Sequence, residues 1–106
     1  MAWTLLVLAG LLEVVWAVSM KLSEGFTRLW PSVTTVAFMI ASFLCLALAL
    51  RELPVGTAYA VWTGIGAVGT AVLGMVLFGE SRDAIRLGCI LLIVAGIVGL
   101  KVTSPS

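Results

Sequence analysis

The sequence predicts an all-α membrane protein with four transmembrane helices in each subunit. Two observations carry this reading. Of the 106 residues, 62% are hydrophobic and only 10% charged, and the mean hydropathy is +1.25. A soluble domain carries about 25% charged residues, and so few polar groups cannot cover a surface that faces water. The apolar residues also fall into four runs, about 2–20, 31–50, 56–78 and 84–100. Each run is close to the roughly 20 residues that an α-helix needs to cross about 30 Å of hydrocarbon. The runs use most of the chain, so residues 1–106 read as one four-helix transmembrane domain.

The first run, Ala2 to Met20, has one carboxylate near its middle, Glu13, in the stretch GLLEVVWA. It has no basic segment ahead of it, and its polar residue sits where a leader would be most apolar, so it reads as a span rather than a cleaved signal. Glu13 stands about eleven residues from one end and about seven from the other, deep in the bilayer. An ionisable side chain there costs at least about 2.5–3.5 kcal/mol on insertion scales and marks a functional site by default. Removal from water disfavours the charged form of a carboxyl, and a carboxyl balanced between its two forms exchanges a proton at physiological pH. The bland reading is a protonated Glu that only hydrogen-bonds a neighbouring helix.

Leu6, Gly10, Glu13, Ala17 and Met20 share one face by their spacing. Gly10 and Ala17 leave room beside the carboxylate, either for a ligand or for a packed helix. Trp16, one turn on, offers a cation–π surface or an interfacial anchor. In the second run Ser42 is the one hydroxyl of the central part. Ser42 lies roughly 15 Å and Glu13 roughly 11 Å from the same membrane face, so Ser42 is expected to donate to the carboxylate. In the third run Tyr59 and Trp62 share a face that Thr63 and Gly66 extend, and Gly64, Gly66 and Gly69 thin the helix for bending or for close packing. The fourth run, with Gly88, Ala95, Gly96 and Gly99 and no charge before Lys101, reads as an assembly helix.

The breaks KLSEGFTRLW, RELPV and GESRD hold eight of the eleven charged residues, and one of the three prolines lies in them while a second, Pro31, directly follows the first, as interfacial turns do. With four spans, both termini and RELPV share one side, side A, which carries Arg51 and Lys101. Side B carries Lys21, Arg28, Arg82 and Arg86. Two against four is a weak bias for a rule that sets orientation by a Lys/Arg excess. It allows insertion both ways up with antiparallel pairing of two copies, or a fixed orientation with side B cytoplasmic. Four short helices hardly enclose a polar pathway, so a dimer is expected. Inverting one copy brings its Trp62 level with the other's Glu13.

Other classes find little support. The net charge of +1 argues against a nucleic-acid partner, and there is no histidine. Cys45 and Cys89 lie in apolar runs and read as buried small hydrophobes rather than a disulfide or metal site. No nucleophile–base pair is evident, so the chain does not read as an enzyme.

In GLLEVVWA, MKLSEGFTRLWPS, LPVGTAYAVWTGIGAVGTA and LLIVAGIVGLK the chain resembles the small multidrug resistance family over essentially its full length. The resemblance implies antiparallel, dual-topology homodimers of four-helix subunits in the bacterial inner membrane, which export cations in exchange for protons and need no other cofactor. It implies that Glu13 is the shared proton- and substrate-binding glutamate, Tyr59 and Trp62 line the substrate, Gly64 and Gly66 bend the third helix, and Gly88 to Gly99 pack the dimer. Gly10, Trp16, Ser42 and Lys101 look like the guanidinium-exporting branch, although SEGFTRLWPS resembles the drug-exporting branch just as well. Guanidinium is planar and its N–H groups suit a carboxylate. The expected mechanism has protons and guanidinium competing for the Glu13 pair, with Ser42 and Trp62 orienting the carboxylate, Trp16 narrowing a pocket that includes Gly10 and Thr63, and Tyr59 gating or touching substrate. The rivals are a polyspecific exporter of lipophilic or quaternary-ammonium drug cations, which would tolerate Trp16→Gly, and a non-transporting assembly subunit, which would move nothing when purified.

Overall fold

The computed structural model describes residues 1–103, so the last three of the 1–106 span lie outside the described residues. Four helices follow one another: α1 (Ala2–Leu22), α2 (Leu29–Ala49), α3 (Val55–Leu77) and α4 (Ala84–Thr103), and no strand occurs among the described residues. At 20 to 23 residues each helix is about 30–35 Å long, the thickness of a hydrocarbon core. The chain is a multi-pass membrane protein.

The helix ends differ from the apolar runs by a few residues, for physical reasons. α1 continues to Leu22 because the long stem of Lys21 keeps its charge at the interface, where Nζ lies 5.8 Å from the centre of the Phe78 ring. α2 begins at Leu29, so Pro31 occupies its first turn, where a missing N–H costs nothing. Between them Ser23, fully buried, accepts from the Phe26 N–H and donates to the Met20 carbonyl. It holds a turn in which Glu24, Gly25 and Phe26 all have positive φ. α4 runs past Lys101 to Thr103, and Lys101 Nζ sits 4.9 Å from the centre of the Trp3 ring, which ties the end of α4 to the start of α1.

The helices form a slab rather than a bundle, with principal extents of 43 × 35 × 16 Å. In space the order is α2–α1–α3–α4: α1 packs on α2 and α3, while α4 packs along α3 and reaches α1 through Lys101 at Trp3. The core lies towards side A, where Leu6, Ala9, Ala49, Leu53, Ala58 and Val61 are buried. Four of the buried core residues are alanines (Ala2, Ala9, Ala49 and Ala58). Lipid tails are as apolar as leucine, so helices in a bilayer associate through close packing of small residues rather than through hydrophobic exclusion.

Glycines extend this contact beyond the core. A Cβ on Gly10 would lie 2.6 Å from Ile65 Cγ2, and one on Gly64 would lie 2.9 Å from Ile97 Cδ1. One on Gly69 would overlap Val14. Across Gly64 and Gly66 α3 is an uninterrupted helix, and both glycines are used for close approach. Gly88, Gly96 and Gly99 have nothing within 4 Å of such an atom, and α4 has no buried residue. Cys45 is half-buried beside the core, as a small hydrophobe should be, but Cys89 is exposed on the outer face of α4. The expectation of burial fails for Cys89 because α4 leans on a single neighbour.

Asp83 caps α4. Its Oδ1 accepts the Arg86 backbone N–H at 2.8 Å and its Oδ2 accepts from the Ser81 hydroxyl at 3.0 Å. These bonds, the backbone one first, hold its carboxyl below the ordinary 3.8. A depressed folded-state value stabilises the protein fully above 3.8, and the contribution is lost as pH falls through the lower folded value. Asp83→Ala should therefore melt earlier than the parent at neutral pH, and the gap should close on strong acidification, as read by thermal unfolding in detergent.

Candidate functional site

Glu13 stands eleven residues after Ala2 and nine before Leu22, at mid-span. Its carboxylate lies against Gly66 of α3, where any side chain would strike it. The glycine is thus the notch that admits the carboxylate between the two helices. Glu13 Oε1 is buried and has no hydrogen-bond partner. A buried acceptor left unpaired costs about 1–3 kcal/mol, more for a charged group, and calls for an explanation.

One turn nearer side A, three helices are joined by a polar knot. The Ser42 hydroxyl of α2 donates to the Ala9 carbonyl of α1 at 2.7 Å and accepts from Trp62 Nε1 of α3 at 3.0 Å. Both side chains are buried. The expected hydrogen bond from Ser42 to Glu13 is therefore replaced by one to the backbone. Counting along the helices puts Ser42 within a turn of its true depth, since Ala9 is one turn from Glu13, but the hydroxyl faces the α1 main chain and meets a carbonyl there. Ser42 and Trp62 fix the backbone turn that carries Glu13 rather than the carboxylate itself.

An aromatic chain crosses from α1 to α2 and α3 on the turns next to those of Glu13 and Ser42. Trp16 and Phe43 lie 6.4 Å apart, Phe43 and Trp62 5.6 Å, and Trp62 and Tyr59 5.6 Å, all edge to face. Such pairs add about 0.5–1.5 kcal/mol each beyond their burial, so the four rings hold one another as a wall. Trp16 Nε1 is buried and unpartnered, like Glu13 Oε1 three residues before it. Tyr59, 57% exposed, is the open end of the wall, and Thr63 turns its hydroxyl back onto the Tyr59 carbonyl at 2.8 Å.

Of the residues singled out by sequence, Glu13, Gly66, Trp16, Ser42, Trp62 and Tyr59 thus lie on adjoining turns of α1, α2 and α3. The space beside Gly10 is filled by Ile65. Gly88, Gly96 and Gly99 lie apart, on α4. Phe43, which links the two tryptophans, was not anticipated. It stood among apolar residues with nothing to distinguish it, although its place next to Ser42 was a usable signal.

The profile of the family described as Small Multidrug Resistance protein matches residues 1–93. The chain belongs to the small multidrug resistance family. Within that family it is similar to the protein named guanidinium exporter of Escherichia coli (strain K12), with 62% identity over 104 residues, 98% of this chain and 99% of the relative. A protein of the same name from Yersinia pseudotuberculosis is 61% identical over 98% of this chain and 100% of its own length. One from Citrobacter freundii is 60% identical over 98% and 99%.

Two substitutions test the geometry. Ser42→Ala leaves Trp62 Nε1 and the Ala9 carbonyl without this partner, and each hydrogen bond between membrane helices is worth about 0.6–1.7 kcal/mol. A loss of about 1–2 kcal/mol in unfolding from mixed micelles is expected, with a change in tryptophan emission. Gly66→Ala should displace Glu13 and separate α1 from α3. Its effect on stability should exceed that of Gly88→Ala, where the space is open.

Proposed function

We propose that the chain exports guanidinium and small guanidinyl cations from bacteria across the inner membrane in exchange for protons, as an antiparallel homodimer. The observation that carries this reading is the mid-span Glu13 carboxylate, whose Oε1 is buried and unpartnered one turn from the ring of Trp16, the first of a chain of aromatic rings. The names of the relatives agree with it. A guanidinium cation supplies the N–H donors that Glu13 lacks, and its flat face suits the ring of Trp16.

Protons and guanidinium compete for the same carboxylates. A dimer that changes its open side only when the Glu13 pair is occupied turns the proton gradient into cation export. Two equivalent glutamates titrate as a pair, so the coupling belongs to both together. The slab shape supports pairing: it leaves one face of the α1–α3 layer and the outer side of α4 uncovered by the chain itself. Gly88, Gly96 and Gly99 offer α4 of a second copy a close approach. In this reading Gly10, Trp16, Ser42, Tyr59, Trp62 and Thr63 shape the substrate pocket, and Gly64 and Gly66 let α3 change its tilt.

Proteoliposomes containing only this chain, under an imposed pH gradient, should take up guanidinium and exclude a bulky quaternary ammonium cation. Glu13→Gln should abolish the uptake, and gradient-driven uptake retained in that variant would sink the mechanism. Guanidinium binding should weaken as the pH is lowered in the parent and become insensitive to pH in Glu13→Gln. Trp16→Gly should admit the bulky cation. Transport of that cation by the parent would favour the drug-exporting reading, and transport of neither would point to an assembly subunit.

A further inference from the structure

A second carboxylate sits in a glycine notch on α3. Glu80, in the connection between α3 and α4, folds back so that a Cβ on Gly74 would lie 2.5 Å from its Oε1 and 2.9 Å from its Oε2. Its backbone N–H also donates to the Gly74 carbonyl at 3.3 Å. Gly66, which receives Glu13, is eight residues earlier on the same helix, so the two notches are about 12 Å apart along its axis. Along the side B part of this stretch lies a cleft of about 350 Å³ walled by small side chains, Ala17 from α1 and Ala67, Thr70 and Ala71 from α3. Ala17 is one turn from Glu13, and the cleft ends at side B beside Lys21, Glu80 and Arg86.

The charges at that mouth are arranged in an informative way. Lys21 lies over the Phe78 ring, and Arg82 donates to the Met75 carbonyl at the end of α3. Glu80 is the one carboxylate lining the cleft, and its partner is itself a guanidinium. Arg86 Nη2 meets Glu80 Oε1 at 2.9 Å. The pair uses one N–H, and Arg86 Nε is buried without a partner, so the two-pronged arrangement typical of guanidinium on carboxylate is not made. Both side chains are about two-fifths exposed, and an exposed ion pair of this kind contributes little to stability. The occupant can therefore be exchanged at small cost.

We infer that Glu80 is a second binding station for guanidinyl cations, at the side B mouth of a cleft whose inner wall, Ala17 and Ala67, comes within one turn of Glu13, and that Arg86 is its built-in occupant. Cargo leaving Glu13 is handed to a carboxylate already shaped around a guanidinium, and Arg86 must swing aside to receive it. Without Glu80 the mouth would present only Lys21 and Arg86, which repel a cation. This inference rests on the reading of the chain as a guanidinium exporter. The plain alternative is that the Glu80–Arg86 pair merely staples the connection to α4.

The two readings differ in sign. If Glu80 is a station, Glu80→Gln should raise the KM for guanidinium about tenfold, the loss of one charged hydrogen-bond partner. Arg86→Gln should lower it, because the competitor is gone. A staple predicts that both variants impair transport alike, and that result, or no change in either, would overturn the inference. Failure of the unmodified protein to transport guanidinium would instead count against the export reading. A binding measurement keeps the two apart. In calorimetric titration with guanidinium chloride, Glu13→Gln/Arg86→Gln should keep a weak site that Glu13→Gln/Glu80→Gln lacks, and absence of heat in the first double variant would refute the station.

Discussion

The close contact of α1 with α3 governs everything else in this subunit. Hydrocarbon offers no exclusion force to press helices together, so contact depends on how near two backbones can come. Here Gly10 accepts Ile65, Gly69 accepts Val14 and Gly66 accepts the Glu13 carboxylate. The first two are ordinary packing. The third places a polar group in the seam, where the surrounding contact shields one of its oxygens from every partner. A bulkier residue at any of the three would part the helices, and the seam is what makes Glu13 unusual.

The polar knot of Ala9, Ser42 and Trp62 complements the seam. It uses a serine hydroxyl as both donor and acceptor, and so satisfies a main-chain carbonyl and an indole N–H with one small side chain. Placed one turn from Glu13, it locks α1, α2 and α3 in register without consuming any hydrogen-bonding capacity of the carboxylate. Trp62 also belongs to the aromatic wall, so the knot positions Phe43 and, through it, Trp16. Rigidity and the unpaired carboxylate are thus neighbours by construction.

Much of this was legible in the sequence because membrane spans expose their exceptions. One carboxylate, one central hydroxyl and a Tyr–Trp pair stand out against apolar neighbours, and depth follows from simple counting along each helix. Counting does not give the direction in which a side chain faces relative to another helix. Depth alone therefore matches Ser42 to Glu13, although the hydroxyl meets the Ala9 carbonyl, and apolar context alone points to burial of Cys89, which is exposed. Phe43 was hidden among residues of its own kind. The pairing of Glu80 with Arg86 depends on the fold of the 78–83 connection, where Gly79 takes positive φ, and no periodicity reports on such a turn.

The arrangement of α4 has a mechanical consequence. It packs along α3, it is tied to Trp3 of α1 through Lys101 at side A, and at side B it is joined to α3 by a short connection. Within a subunit, α3 is therefore the main packed link between the carboxylate seam and the outermost helix. Any movement of α3 against α1 would reach α4 as rotation about the tethered end, with the widest displacement at the end that bears Arg86. A small shift in the seam would be magnified there, as at the far end of a lever.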